Sequence, residues 1–139
     1  APLRCSLLGA RLSRDGLLVA GEAAGSTYAF SGEGIGKALE PGLIAADALL
    51  EARRLPGGLR NSDADIRRHH EAGLLALKPK FELYERASRV NDMPWLADLV
   101  IWRANKSPRI MARMSAVIEE KQNPGWLLSF RGMRKLLTE

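Results

Sequence analysis

Gly21-Glu22-Ala23-Ala24-Gly25, followed after four intervening residues by Phe30-Ser31-Gly32-Glu33-Gly34-Ile35-Gly36, is the stretch on which the fold of this chain turns. An apolar run, Leu17-Leu18-Val19-Ala20, leads into it. That run is too short for a helix and reads as a buried strand ending at Gly21. An amphipathic helix leads out of it. The order is strand, carboxylate, glycine loop, helix N-terminus. Glycines let a backbone approach a ligand closely and adopt positive φ. The N–H groups and dipole at a helix start attract an anion. A carboxylate just after a strand accepts hydrogen bonds from ribose-like hydroxyls. Together these suit a nucleotide-derived cofactor with hydroxyls and an anionic end.

Working outward, residues 34–53 read as the helix, with Ile35, Leu39, Leu43, Ala46 and Leu50 along its apolar side. Pro41 and Gly42 fall inside it and predict a kink or local break. Leu55-Pro56-Gly57-Gly58 marks a boundary, giving a first part at 1–55 and a helical region at 56–139. Ser62-Asp63-Ala64-Asp65 reads as a cap with an acidic first turn. Ile66, His70, Leu74 and Leu77 continue a helical stripe that Phe81, Tyr84 and Ala87 resume after Pro79, so one long kinked helix is expected. Pro94 and Pro108 each stand where a first helical residue would. The first opens a mostly buried helix, Trp95–Trp102. The second places Ile110, Met114, Val117 and Ile118 on an apolar side. Asn123-Pro124 opens a last helix with Trp126, Phe130, Met133 and Leu137 aligned. In the other direction, Ser13-Arg14-Asp15-Gly16 is a turn-type cluster between short apolar runs.

The net charge is +5 and unevenly placed. Residues 1–102 balance 13 basic against 13 acidic side chains, whereas residues 103–139 carry eight basic and three acidic ones. A basic end meets nucleic acid, an anionic membrane surface or an acidic partner. No basic recognition helix or aromatic platform supports nucleic acid. Cys5 is the only cysteine, so the chain has no internal disulfide and no CxxC metal site. A cytoplasmic protein is the simplest expectation. No apolar run approaches the roughly 20 residues that span a bilayer.

Two phosphate-binding patterns fail on single residues. A P-loop ending at Gly36-Lys37 would need Gly at position 31 and Ser or Thr at position 38, where Ser31 and Ala38 stand. A dinucleotide GxGxxG from Gly32 would need Gly at position 37, where Lys37 stands. The pattern from Leu17 to Ala46 instead resembles the second FAD-contacting motif of the flavoprotein monooxygenase superfamily. Its nearest branch is the geranylgeranyl reductase-like FAD-dependent oxidoreductases. Their pattern runs strand, Gly-Asp-Ala-Ala-Gly, Pro-Phe, then a Gly-Glu-Gly-Ile helix start. Two residues depart from it: Glu22 replaces the usual Asp, and Ala29 the usual Pro.

The resemblance implies a fold that is mostly α with one or two short strands. It would be the C-terminal part of a two-domain α/β FAD-binding fold, followed by a helical region. It implies FAD as cofactor, with Gly21, Glu22 and Ala23 near the ribityl and pyrophosphate region. Gly32, Glu33, Gly34 and Ile35 would face the pyrimidine edge of the flavin. A helix N-terminus stabilises a nearby anion by roughly 0.3–2 kcal/mol, on the order of tens of millivolts for a two-electron couple. NAD(P)H or another donor would reduce the flavin. The reduced flavin would then saturate a prenyl-lipid double bond or, alternatively, activate oxygen for hydroxylation. The substrate would be a lipophilic small molecule. The chain then reads as the back part of an enzyme, inactive by itself, whose N-terminal FAD-binding unit lies elsewhere.

No catalytic residue and no metal site are identified. Glu33 reads as structural, because a carboxylate at a helix start is favourable in itself. His69 and His70 read as surface histidines at a polar helix start. Trp95, Trp102 and Trp126 read as core, with an aromatic wall for an apolar substrate as the alternative. A helix placing Trp126, Leu127, Phe130, Met133 and Leu137 opposite Arg131, Arg134 and Lys135 reads as an ordinary packed helix or as a peripheral membrane contact. A non-enzymatic basic helical module is the reading of a different class.

Overall fold

The computed structural model describes residues 3–57, 63–126, 129 and 134. Among these the fold is mostly helical. Two strands, β1 (Ser13–Arg14) and β2 (Leu17–Leu18), form an antiparallel hairpin, with Ser13 opposite Leu18 and Arg14 opposite Leu17. A 3-10 turn at Gly21–Ala24 precedes four helices: α1 (Ile35–Arg54), α2 (Asp63–Ser88), α3 (Pro94–Lys106) and α4 (Pro108–Ile118). The chain divides into two compact units, residues 1–82 and 83–139. The expected caps and helices at Ser62 and at 127–139 lie outside the described residues, apart from Ser129, Arg134 and the 3-10 turn Pro124–Trp126. No described helix is long and apolar enough to cross a membrane.

In the first unit α1 and the 63–82 part of α2 run antiparallel. Ala48 and Ala52 of α1 pack with Ile66, and Leu18 lies against them. Further along, a Cβ added at Gly73 would stand 2.5 Å from Ile44 Cγ2. The small residues Ala48, Ala52 and Gly73 stand at these contacts. Gly73→Ala is therefore expected to destabilise the unit by about 1–3 kcal/mol through overpacking, although alanine is the better helix former. A urea titration reads this as a lower midpoint, and an unchanged or raised midpoint would show that Ile44 can move aside.

Most of the α2 stripe falls where its periodicity places it: Ile66, His70, Leu74, Phe81, Tyr84 and Ala87 are buried, while Leu77 is only half-buried. The helix runs through Pro79 unbroken, as α1 runs through Pro41, so the local break predicted at Pro41-Gly42 does not occur. His70 corrects the surface reading. It lies on the i, i+4 row of Ile66 and Leu74, is fully buried, and its Nε2 stands 3.0 Å from the Val19 carbonyl. A carbonyl only accepts, so Nε2 carries the proton. His69 is exposed.

The α1 stripe is the larger correction. Ile35 is 87% exposed, Leu39 65%, Leu43 66% and Leu50 54%, and Ala46 is exposed too. The buried positions are Lys37, Pro41, Ala48 and Ala52. The leucine row is uncharged, as are Ala48 and Ala52, and α2 packs through Ile66 on the side where Ala48 and Ala52 stand. The expected buried strand is likewise one short arm of a hairpin, with Leu17 exposed. The hairpin's turn, Asp15-Gly16, is held to α2 by the Gly16 N–H donating to Asp63 Oδ1 at 3.0 Å.

In the second unit, Ser107 accepts from the Ile110 N–H and caps α4. The Tyr84 hydroxyl donates to the Val117 carbonyl at 3.0 Å, tying the end of α2 to α4. Ile110 and Val117 are buried, while Ile118 is exposed. The expectation of a mostly buried α3 fails. Only Val100 and Ala104 are fully inside, and both Trp95 and Trp102 face solvent. The small residues of α3, not its largest ones, form the packed side.

Candidate functional site

The candidate loop is built by short-range hydrogen bonds in the first unit. Gly25, at φ 76°, ends the 3-10 turn, and its N–H donates to the Glu22 and Gly21 carbonyls. A Cβ at Gly25 would sit 3.4–3.5 Å from Leu7 and Cys5 backbone, so both its left-handed φ and the close approach call for glycine. The preceding segment is clasped here, with the Leu7 N–H donating to Gly25 O and the Ser6 N–H to Thr27 O. Ser6 and Leu7 both adopt positive φ, 63° and 54°. A β-carbon makes that costly, and the two bonds hold it in place.

Residues 28–33 then close on themselves. The Tyr28 N–H donates to Glu33 O at 3.0 Å, and the Gly32 N–H donates back to Tyr28 O at 2.9 Å. Tyr28 anchors this loop to the body. It is fully buried, and its ring meets Phe81 of α2 edge-on, centroids 4.8 Å apart at 60°. Lys37 Nζ lies 5.1 Å from the Tyr28 ring centroid and also pairs with Glu40 at 2.6 Å. The pair and the ring together account for a lysine that is buried in α1.

The seven residues singled out in the sequence fall into two groups that the fold brings together. Gly21, Glu22 and Ala23 lie in the 3-10 turn, which packs on α1. The contact runs through Gly21, where a Cβ would stand 3.6 Å from Ala38 Cβ, one turn into the helix. Gly32, Glu33, Gly34 and Ile35 form the loop end and helix start. Gly34 is the N-cap of α1, and no side chain caps the helix there. The N–H groups of the first turn therefore lack intrahelical acceptors. Glu22 is exposed, and its carboxylate pairs with no side chain among the described residues. Gly32, at φ 70°, has open space where a Cβ would be.

Two observations modify the expected picture. Glu33 Oε1 would lie 2.8 Å from a Cβ on Gly36, so this carboxylate already rests against the first turn of α1. Such a place is favourable for an anion, in keeping with a structural Glu33. Thr27, which no sequence motif singles out, is buried, and its Oγ1 would lie 3.1 Å from a Cβ on Gly34. Tyr28, Lys37 and Phe81 were missed as supports of the loop. An aromatic just before a glycine loop and another on the α2 stripe were the available signal. Among the described residues no three His, Cys, Asp or Glu side chains gather as metal ligands.

No family model matches this chain, and no curated protein and no solved structure matches it either.

Proposed function

We propose that the chain supplies the flavin-facing part of an FAD-dependent oxidoreductase of the geranylgeranyl reductase-like kind. The observation that carries the reading is the seating of the Glu22-bearing turn on α1, through Gly21 and Ala38, beside a helix start left uncapped after a glycine loop. In this reading Glu22 accepts from ribityl hydroxyls, and Gly21 and Ala23 keep that side of the turn small. Gly32 and Gly34 let the backbone approach the pyrimidine edge, where the N–H groups of Ile35 and Gly36 favour negative charge. Glu33 withdraws from the first turn when that charge arrives. Thr27 and Tyr28 hold the loop from behind. The flavin, when bound, supplies hydride transfer, with NAD(P)H or another donor reducing it and a prenyl-lipid double bond as acceptor.

The exposed stripe of α1 supports the same reading. An apolar helix stripe of this length is normally covered, and this one starts at the candidate loop. The ADP half of such a site requires a strand–GxGxxG–helix unit. No GxGxxG stands in these 139 residues, so the proposal assigns that half to another segment of the enzyme.

The test is the absorbance spectrum of the full gene product after purification, followed by FAD titration. Bound oxidised flavin is expected. Glu22→Gln is expected to weaken FAD binding roughly 10–150-fold, the worth of a hydrogen bond to a charged group. A gene product that neither carries nor takes up FAD would sink the reading and favour the non-enzymatic helical module. Fast NAD(P)H-dependent oxygen uptake coupled to product would assign the hydroxylase branch in place of the reductase.

A further inference from the structure

The second unit turns a large aromatic surface to solvent. Trp95 is 66% exposed and Trp102 49%. Seven residues apart, they stand on one side of α3, about 10 Å from each other along its axis. Cations gather at the same side. Lys106 Nζ lies 4.4 Å from the Trp102 ring centroid and the Arg103 guanidinium 5.3 Å from it. Where α3 turns into α4, Lys106, Ser107, Pro108 and Arg109 line an open cavity of about 460 Å³. From Pro94 to Ile118 the chain carries Arg103, Lys106, Arg109 and Arg113 against a single carboxylate, Asp98.

Indoles with an apolar body and a polar N–H, next to cations on long aliphatic stems, match the chemistry of a bilayer's headgroup boundary. A protein partner would have to strip water from Lys106 and Arg109 and pair each one. An anionic lipid surface neutralises them while they stay hydrated. We propose that this side of α3, together with the Lys106–Arg109 corner, seats the protein peripherally on an anionic phospholipid surface. The indoles lie at headgroup depth and the cations lie on the phosphates. Asp98, on the same side of the helix between the two indoles, keeps the seating shallow. The proposal stands on the second unit alone and does not depend on the flavin reading.

Sedimentation with vesicles tests it, using phosphatidylcholine alone and phosphatidylcholine mixed with phosphatidylserine. Wild-type protein is expected to sediment with the mixed vesicles and to be released by salt. Lys106→Gln/Arg109→Gln should weaken that binding roughly 25-fold, about fivefold for each cation near the surface. Trp95→Ser/Trp102→Ser should abolish it while far-ultraviolet circular dichroism keeps its helical signal, since both side chains are exposed. Wild-type protein that ignores anionic vesicles, binds both kinds equally, or pairs with itself instead would overturn the proposal. So would a folded double tryptophan variant that binds as wild type does. The lysine–arginine variant keeps the test decisive if the tryptophan variant fails to fold.

Discussion

Phe81→Ala is expected to cost about 3–5 kcal/mol, against a total stability of roughly 5–15 kcal/mol for a domain of this kind. Phe81 is fully buried in α2, and its ring is the edge-on partner of Tyr28. Removing it leaves a cavity beside Tyr28, which anchors the 28–33 loop to the helical pair. The two loop bonds, Tyr28 N–H to Glu33 O and Gly32 N–H to Tyr28 O, then hang on an anchor with no wall behind it. Two measurements follow from this. The melting temperature should fall by at least about 10 °C, and hydrogen exchange at the Gly32 amide should speed up at temperatures where α2 stays folded. Phe81→Leu, which keeps most of the volume, should cost about 1.5 kcal/mol and leave the loop amide protected. Equal loop exchange in the two variants would mean that the 28–33 bonds hold without Tyr28.

The contrast between α1 and α2 explains what the sequence reveals of this fold. In α2 the apolar positions from Ile66 to Ala87 are separated by charged ones such as Arg67, Arg68, Lys78 and Glu82. One stripe is available, and it is the stripe that is buried. In α1 the leucine row is uncharged while the buried row begins with Lys37, so periodicity finds the helix but points to the wrong inner side. The choice is made in α2, by Gly73, whose bare Cα admits Ile44. That is a contact between residues 29 positions apart, and no local pattern carries it. The tryptophans of α3 fail for a related reason. Size suggests core, yet a short helix packs through whichever side fits its neighbour, here Val100 and Ala104. The glycine loop is more legible because its constraints are local. Gly25 and Gly32 take the positive φ their positions suggest, and Gly34 begins the helix where the spacing places it. The supports of the loop, Tyr28 and Phe81, are 53 residues apart and become visible as a pair only in the folded chain.

Replacing Leu39 and Leu43 by glutamine should therefore have a small effect in one setting and a large one in another. In the 139-residue chain both side chains are about two-thirds exposed, so each change should alter stability by no more than about 0.5 kcal/mol and should raise solubility. In the complete flavoenzyme proposed above, the same stripe is the surface that the remainder of the FAD-binding domain covers. Burying a leucine contributes about 1.5–3 kcal/mol, so the pair accounts for about 3–6 kcal/mol of that docking. Its loss should weaken FAD retention by a factor of about 150 or more, because α1 begins at the loop that faces the flavin and a helix left undocked cannot hold that loop in register. FAD titration of the complete protein, beside a urea titration of the short chain, separates the outcomes. Loss of flavin with an unchanged urea midpoint is the expected pair. A lowered midpoint would place the stripe inside the core of the chain itself. Unchanged flavin binding would mean that nothing in the enzyme covers this stripe of α1, and the exposed leucines would need another partner.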